Sequence, residues 1–503
     1  LSPSLTFAAV RETSGRDELQ TAEALEELEA HQILLAERDH FIFHHDLARA
    51  AIYQNISDWR RRLLHRRAAA ALAPYAAGDN EQLSLIGSHY ESGGDLLPAI
   101  HSYRQAAAAA SALFAFQEAA QDLRRAIALV DEVPESLPLI SHLYEELAEN
   151  LAGAGEFSDA TEMYLLALDM AQDDNPLRLA DLERKLAATL QPQQREDEAE
   201  HHYYAALRRL EKPRSDMNSR RRQEVRLDIL LELLEVFYLQ IRADAMAGMS
   251  AKIEALLDEI GSAAQQSRYH SQLWHIAILQ DRFRPTFKTL ALLQPALAFA
   301  LESGNERLIA DTRFLQAFHF LWAGSTQVAV DRLLPIIDAA KQLGDAWLLN
   351  KCLAYLTVAH RLQGNTIEVA AALPELIEVS QLVGNRYYLG VAQANAAWLH
   401  YHAEDYPQAR SEAESAAANW AATRYPFQWL AYWILLAVAI QEDRPQDALT
   451  AAEAMLDNKQ QKLPDEIDHA LAAAVAAWDA GEETAARVLL ETAVSLASHH
   501  GYL

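Results

Sequence analysis

The sequence predicts an all-α chain, a superhelix of stacked helical hairpins behind a small N-terminal module that does not repeat. Three observations predict it. Gly304-Asn305, Gly344-Asp345 and Gly384-Asn385 recur 40 residues apart, with Gly324, Gly364 and Glu404 between them at the same step. A small residue follows many of the inner turn positions by five: Gly94/Ala99, Gly155/Ala160, Gln194/Ala199, Gly324/Ala329, Glu404/Ala409, Asp443/Ala448 and Gly481/Ala486. Finally, 17 Gly and 16 Pro in 503 residues are too few for collagen-like or low-complexity chains, and runs such as Ala106–Ala110 favour helix over strand.

Residues 1–70 come first and carry no repeat. Leu19–Leu35 reads as a helix with apolar Leu25, Leu28 and Ile33, running into short strands at Ile33–Ala36 and Phe41–Phe43 around an Arg38-Asp39-His40 turn. The order helix, two-stranded wing, helix suggests a winged helix. Residues 71–262 form irregular helical repeats, with 211–262 fitting least well, and Lys212–Arg222 reads as an exposed basic loop around Pro213. Residues 263–503 hold the regular 40-residue units. Between turns, intervals of about 15 residues carry apolar positions at helical spacing, as in Leu308, Thr312, Leu315, Phe318 and Trp322.

A second alanine often follows the first by seven (Ala106, Ala126 after Ala119, Ala167, Ala206, Ala416, Ala493), two helical turns along the same face. Alanine there lets two helices approach closely, and Tyr103, Tyr164 and Tyr203, four past the first alanine, fill the groove beside the contact. An arbitrary Ala-rich bundle is the simpler alternative, but fixed offsets argue for a repeat. Strings such as Gly155-Glu156-Phe157-Ser158-Asp159-Ala160 and Glu404-Asp405-Tyr406-Pro407-Gln408-Ala409 resemble the inner turn of the tetratricopeptide repeat. The longer 40-residue step is similar to that in large ATP-dependent bacterial transcription activators. Such arrays imply a concave groove as binding surface.

The run Phe43-His44-His45-Asp46-Leu47-Ala48-Arg49-Ala50-Ala51-Ile52-Tyr53, followed by Arg60-Arg61-Arg62-Leu63-Leu64-His65-Arg66-Arg67, resembles the segment that joins ATPase core to helical repeats in STAND ATPases of the LuxR-type and antibiotic-regulatory activators. That resemblance implies a winged helix, ATP or ADP in a full-length protein, an upstream ATPase domain as partner, His45 sensing the nucleotide and Asp46 holding the local turn. His44 stands where the family has methionine. From the residues alone, Asp46 could instead cap the next helix, or His44, His45 and Asp46 could hold a metal, a poor fit because adjacent side chains diverge. No Gly-x-x-x-x-Gly-Lys-Ser/Thr loop occurs, so the chain itself is expected to need no cofactor and to be no ATPase.

Charge and composition narrow the rest. Lys+Arg 43 against Asp+Glu 71 gives −28, which opposes general nucleic-acid binding. The basic cluster Arg60, Arg61, Arg62, Arg66 and Arg67 beside Trp59 is read as a solvated or interdomain face, with DNA contact the rival. One cysteine, Cys352, excludes a disulfide framework and suits a reducing cytoplasm. The longest apolar run, Trp429–Ile440, has 12 residues, too short to span a bilayer. Leu1 opens the chain without Met, so a fragment or processed product is expected. His201-His202 and His499-His500 lack partners at ligand spacing, and no catalytic set is fixed by any motif.

The 40-residue register aligns Arg307, Trp347, Tyr387 and Phe427 near the starts of first helices. They are the groove candidates for stacking on a sugar, a peptide or a base, with packing between repeats as the alternative. Trp322, Trp398 and Trp433 fall late on the apolar stripe and are assigned to the core. The expected function is the non-catalytic sensor arm of a STAND ATPase regulator, binding a protein, a peptide or a small-molecule inducer. The alternative is a standalone tetratricopeptide scaffold for protein–protein interaction.

Overall fold

The computed structural model describes residues 5–38, 40–76, 78–171, 175–211, 219–421 and 423–503. The chain is all-α apart from one small sheet among the described residues, and it divides into two compact units, Leu1–Thr189 and Leu190–Leu503.

The first unit opens with strand Leu5–Thr6 and helix Phe7–Ser14, capped where Thr6 Oγ1 accepts the Ala9 N–H at 3.2 Å. Helix Glu18–Ala30 is capped by Asp17, which accepts from the Gln20 N–H at 2.8 Å. It stops five residues before the expected Leu35, because Gln32 takes φ 55° and the Ile33 N–H turns back to Leu28 O. Ile33 therefore leaves the helix and leads into the hairpin Leu34–Glu37 and His40–Phe43, paired from Leu34↔Phe43 to Glu37↔His40. Leu5–Thr6 joins the outer edge of His40–Phe43, a third strand too short for the sequence to announce. Helices Asp46–Gln54 and Asp58–Leu72 follow, and Asp58–Leu72 packs both on Phe7–Ser14 and on the first repeat helix, Asn80–Gly93.

From there the chain folds back and forth in tetratricopeptide-like hairpins. Each of the seven inner turns read from the sequence has the same geometry. The turn residue is left-handed: φ is 81° at Gly94, 83° at Gly155, 81° at Gly324 and 79° at Gly481, and 59° at Gln194, 60° at Glu404 and 58° at Asp443. The next residue's N–H bonds to a carbonyl five back, as Asp95 to Tyr90 and Asp405 to His400, both at 2.9 Å, closing a Schellman cap. The alanine five past every one of these turns is fully buried, and so are the second alanines Ala106, Ala126, Ala167, Ala206, Ala416 and Ala493. Their missing side chains are what bring the paired helices together.

Two further turns obey the rule without its sequence signal. Phe114 (φ 61°) precedes buried Ala119, and Ile241 (φ 57°) precedes Met246, also fully buried. The second shows that the poorly fitting 211–262 stretch contains an ordinary hairpin, Ser219–Leu239 with Ala243–Ile260, in which methionine replaces alanine. The basic segment expected as a loop lies at 212–218 outside the described residues; Ser219–Arg222 already begin a helix.

In the second unit the outer turns at Gly304, Gly344 and Gly384 end one helix and start the next. Asn305, Asp345 and Asn385 cap the following helices by accepting from the Leu308, Leu348 and Tyr388 N–H at 3.0, 3.0 and 3.1 Å. The first helices Ser219–Leu239, Ala263–Gln280, Glu306–Trp322, Ala346–Leu362, Arg386–His402 and Trp429–Gln441 each pack on the next, forming one continuous layer. Trp398, Trp433 and Cys352 are wholly buried within it, whereas Trp322 is only half-buried. No helix among the described residues is long and apolar enough to cross a membrane.

Candidate functional site

The layer of first helices curls on itself. Arg282 donates from Nε to Gln460 O at 3.0 Å, Gln461 donates from Nε2 to Phe283 O at 3.1 Å, and Tyr387 donates to Glu196 at 2.9 Å, so residues up to about 190 positions apart meet within the second unit. Tyr238 and Tyr388, on the first and fifth helices of that layer, lie close enough to interact electrostatically, a smaller contribution than burial to the raised Tyr238 phenol. The exposed face of the layer is therefore turned inward.

The four aligned candidates do not share one environment. Arg307 is largely exposed and pairs through Nε with Asp345 at 3.0 Å. Trp347 is half-buried. Tyr387 is half-buried, its ring 5.9 Å from Tyr425 and its carbonyl accepting the Trp420 indole N–H at 2.9 Å. Phe427 is 1% exposed and stacks on Trp322 at 4.3 Å with planes 8° apart. It precedes helix Trp429–Gln441 instead of starting it, and its ring contacts Phe283, Phe318, Tyr355 and Tyr425. Phe427 is core packing, while Tyr387 and Trp347 keep some accessible surface.

The accessible chemistry of this face lies one or a few residues from those positions. Lys351 and Asp311, 40 residues apart on neighbouring first helices, form an ion pair with side chains 25% and 38% exposed. Burial works to lower the Lys351 ammonium, and the Asp311 carboxylate overrides it, leaving its pKa raised. The ammonium also lies 4.6 Å from the Phe314 ring centre. His275 stacks on Tyr238 at 3.9 Å, and burial, with Lys351 second, pushes it down to about 3, so it is neutral at pH 7. Burial raises the phenols of Tyr238 and Tyr388, although both residues keep some accessible surface. Tyr355 and Tyr425, almost fully buried, form the floor, where burial holds their phenols far above the usual value. Glu235, exposed, completes the set close to Tyr238 and Lys351. The signal for these residues was in the sequence: Asp311 and Lys351, and Glu235 and His275, each repeat at the 40-residue step. Cys352 behind this face is pushed up by burial to about 12 and is an inert thiol at neutral pH.

In the first unit His45 is itself the N-cap residue of helix Asp46–Gln54, with no side-chain capping bond, so Asp46 is not the cap. His44 Nδ1 lies 3.0 Å from His45 Nε2, and Asp46, 91% exposed, meets Arg49 at 3.4 Å. Among the described residues no group of three or more His, Cys, Asp or Glu could hold a metal. Three arginines of the basic cluster serve the chain itself: Arg61 pairs with Asp58, Arg66 with Asp95 at 3.5 Å, and Arg67 donates to Ser14 O at 3.3 Å. Arg60 and Arg62 are exposed, as are Trp59 (71%) and Leu47 (85%).

No protein-family model matches the chain, and no curated protein matches it. Among solved structures it is similar to a STAND protein with a tetratricopeptide repeat sensor from Pyrococcus horikoshii, at 11% identity and TM-score 0.40, covering 97% of this chain. The chain spans 63% of that protein's length. It is also similar to the apo quorum sensor NprR from B. thuringiensis (12% identity, TM-score 0.45, 74% of this chain and 96% of that one). A third is a Rap protein complexed with competence and sporulation factor (14% identity, TM-score 0.44, 65% of this chain and 88% of that one).

Proposed function

We propose that the chain is a non-catalytic binding arm whose inward-turned layer in the second unit holds an extended peptide or protein segment. The observation that carries this reading is the convergence of partly exposed Tyr238, Lys351, Tyr387 and Tyr388 with Asp311 and Glu235, supplied by four of the unit's hairpins, on one curled surface. Rigid phenols offer apolar area at low entropic cost, and the charged groups fix orientation. A randomised peptide pool passed over the full chain tests it: retained sequences whose binding is weakened by Tyr388→Ala support the reading, and no retention contradicts it.

We further propose that residues 1–70, read as a winged helix, join this arm to a STAND-type ATPase domain and so to a transcription-type response in the cytoplasm. Exposed Leu47 and Trp59 beside Arg60 and Arg62 give that domain an apolar and basic surface to cover. For ADP, this chain's residues fit one edge of a phosphate site only. His45 is exposed and the start of helix Asp46–Gln54 has no side-chain cap, but the Asp46 carboxylate opposes an anion there. The remaining phosphate contacts would come from the ATPase domain. In a protein carrying that domain, His45→Ala should weaken ADP about tenfold, the worth of one charge-assisted hydrogen bond; unchanged ADP affinity would refute the sensing role.

A further inference from the structure

The polar groups on the inner face of the second unit do not balance. Asp311 and Lys351 satisfy each other. His275 is held neutral by burial and stacked on Tyr238. Glu235 is exposed at the same place and makes no ion pair or hydrogen bond among the described residues. What is left on this face is one carboxylate beside two partly exposed tyrosines, Tyr238 and Tyr388.

We propose that this corner takes the basic side chain of a bound peptide, arginine in preference to lysine, with its charge on Glu235 and its plane against Tyr238 or Tyr388. The proposal rests on the peptide-binding reading above and adds the class of residue recognised. A guanidinium meets a carboxylate with two parallel N–H donors and lays its plane on a phenol ring, whereas an ammonium has no such fork and no plane, and meets both only as a point charge. Burial raises both phenols, so contacts made beside them are screened less by water than contacts at an open surface. An acidic side chain finds no free cation here, because the Lys351 ammonium already holds Asp311. The net charge of −28 also draws basic partners in and slows acidic ones.

The test separates this inference from the reading beneath it. A nine-residue peptide pool, randomised except for one position filled equally with arginine or its uncharged isostere citrulline, is passed over immobilised full chain, and the retained peptides are sequenced by mass spectrometry. About tenfold enrichment of arginine over citrulline is expected for wild type, falling to about twofold or less for Glu235→Gln, as the loss of one such charged pair gives. Glu235 is exposed, so the variant should unfold at the wild-type temperature, which the same preparation checks. Retained peptides with no arginine preference, or a preference that survives Glu235→Gln, would overturn this inference alone. No peptide retained by wild type would overturn the peptide-binding reading, and this inference with it.

Discussion

Gly390 lies inside helix Arg386–His402, where propensity alone favours alanine by about 1 kcal/mol. The neighbouring helix forbids it. A Cβ at Gly390 would sit 2.6 Å from Cε2 and 3.1 Å from Cδ1 of Trp420, a fully buried ring. That ring cannot retreat freely: it stacks on Tyr425 at 4.9 Å, and its N–H donates to Tyr387 O at 2.9 Å. Forcing a methyl into such a contact costs about 1–3 kcal/mol, and displacing the indole N–H costs about 1 kcal/mol more. Set against the propensity gain, Gly390→Ala should destabilise by about 1–3 kcal/mol. At about 2–4 °C per kcal/mol for a large unit, the Tm of the second unit's transition should fall by about 2–12 °C. Gly248, inside helix Ala243–Ile260, is the control, because nothing lies within 4 Å of its added Cβ. Gly248→Ala should gain about 0.5–1 kcal/mol from propensity alone. Differential scanning calorimetry of both variants and wild type at one scan rate decides. A Gly390→Ala chain as stable as Gly248→Ala would refute the close approach of helices on which the repeat is built.

Two other outcomes follow from local geometry. Glu404 holds a left-handed turn at φ 60° where Gly155 and Gly324 do the same work without a Cβ, so Glu404→Gly should raise stability by about 0.5–1 kcal/mol and Gly324→Ala should lower it by about 1 kcal/mol, both read from urea unfolding midpoints. In the first unit, Tyr53 Oη lies 2.8 Å from His65 Nε2 and His65 Nδ1 2.8 Å from His89 Nδ1, with both imidazoles buried. Burial lowers both, His89 to about 4, against about 6.5 when unfolded. The unfolded chain thus binds more protons between those values. This contribution to stability is complete above pH 6.5 and is lost as the pH falls towards 4, by about 2–4 kcal/mol. Unfolding midpoints of the first unit from pH 7.5 to 4.5 should show that slope, and His89→Gln should flatten it.

The repeat was legible because its turns need left-handed residues and its contacts need alanine, and both requirements leave marks on sequence. Gly94, Gly155, Gly324 and Gly481 announce themselves, and Ala160 or Ala409 five residues on confirms the spacing. Phe114 and Ile241 take the same dihedral with side chains that carry no such mark, so their turns were invisible, and Met246 hid a regular hairpin by filling an alanine's place. The end of the helix at Ala30 was missed because His31-Gln32 turn without glycine. The site was harder to read than the fold. Stepping by 40 from Tyr387 reaches Phe427, but Thr423–Gln428 is irregular and not a repeat turn, and it lays Phe427 into the core against Trp322. Neighbours in sequence divide between core and surface by the helical angle of 100° per residue. Register alone could not say whether Tyr387, Tyr388 or both would keep accessible surface on that face.

Hydrogen exchange of the full chain, with and without a peptide selected from the pool, tests the binding arm most directly. The expected result is added protection confined to the first-helix layer, at Ser219–Leu239, Ala346–Leu362 and Arg386–His402. Protection spread over the outer helices Thr326–Leu343 and Thr366–Leu382 instead, or none anywhere, would contradict it.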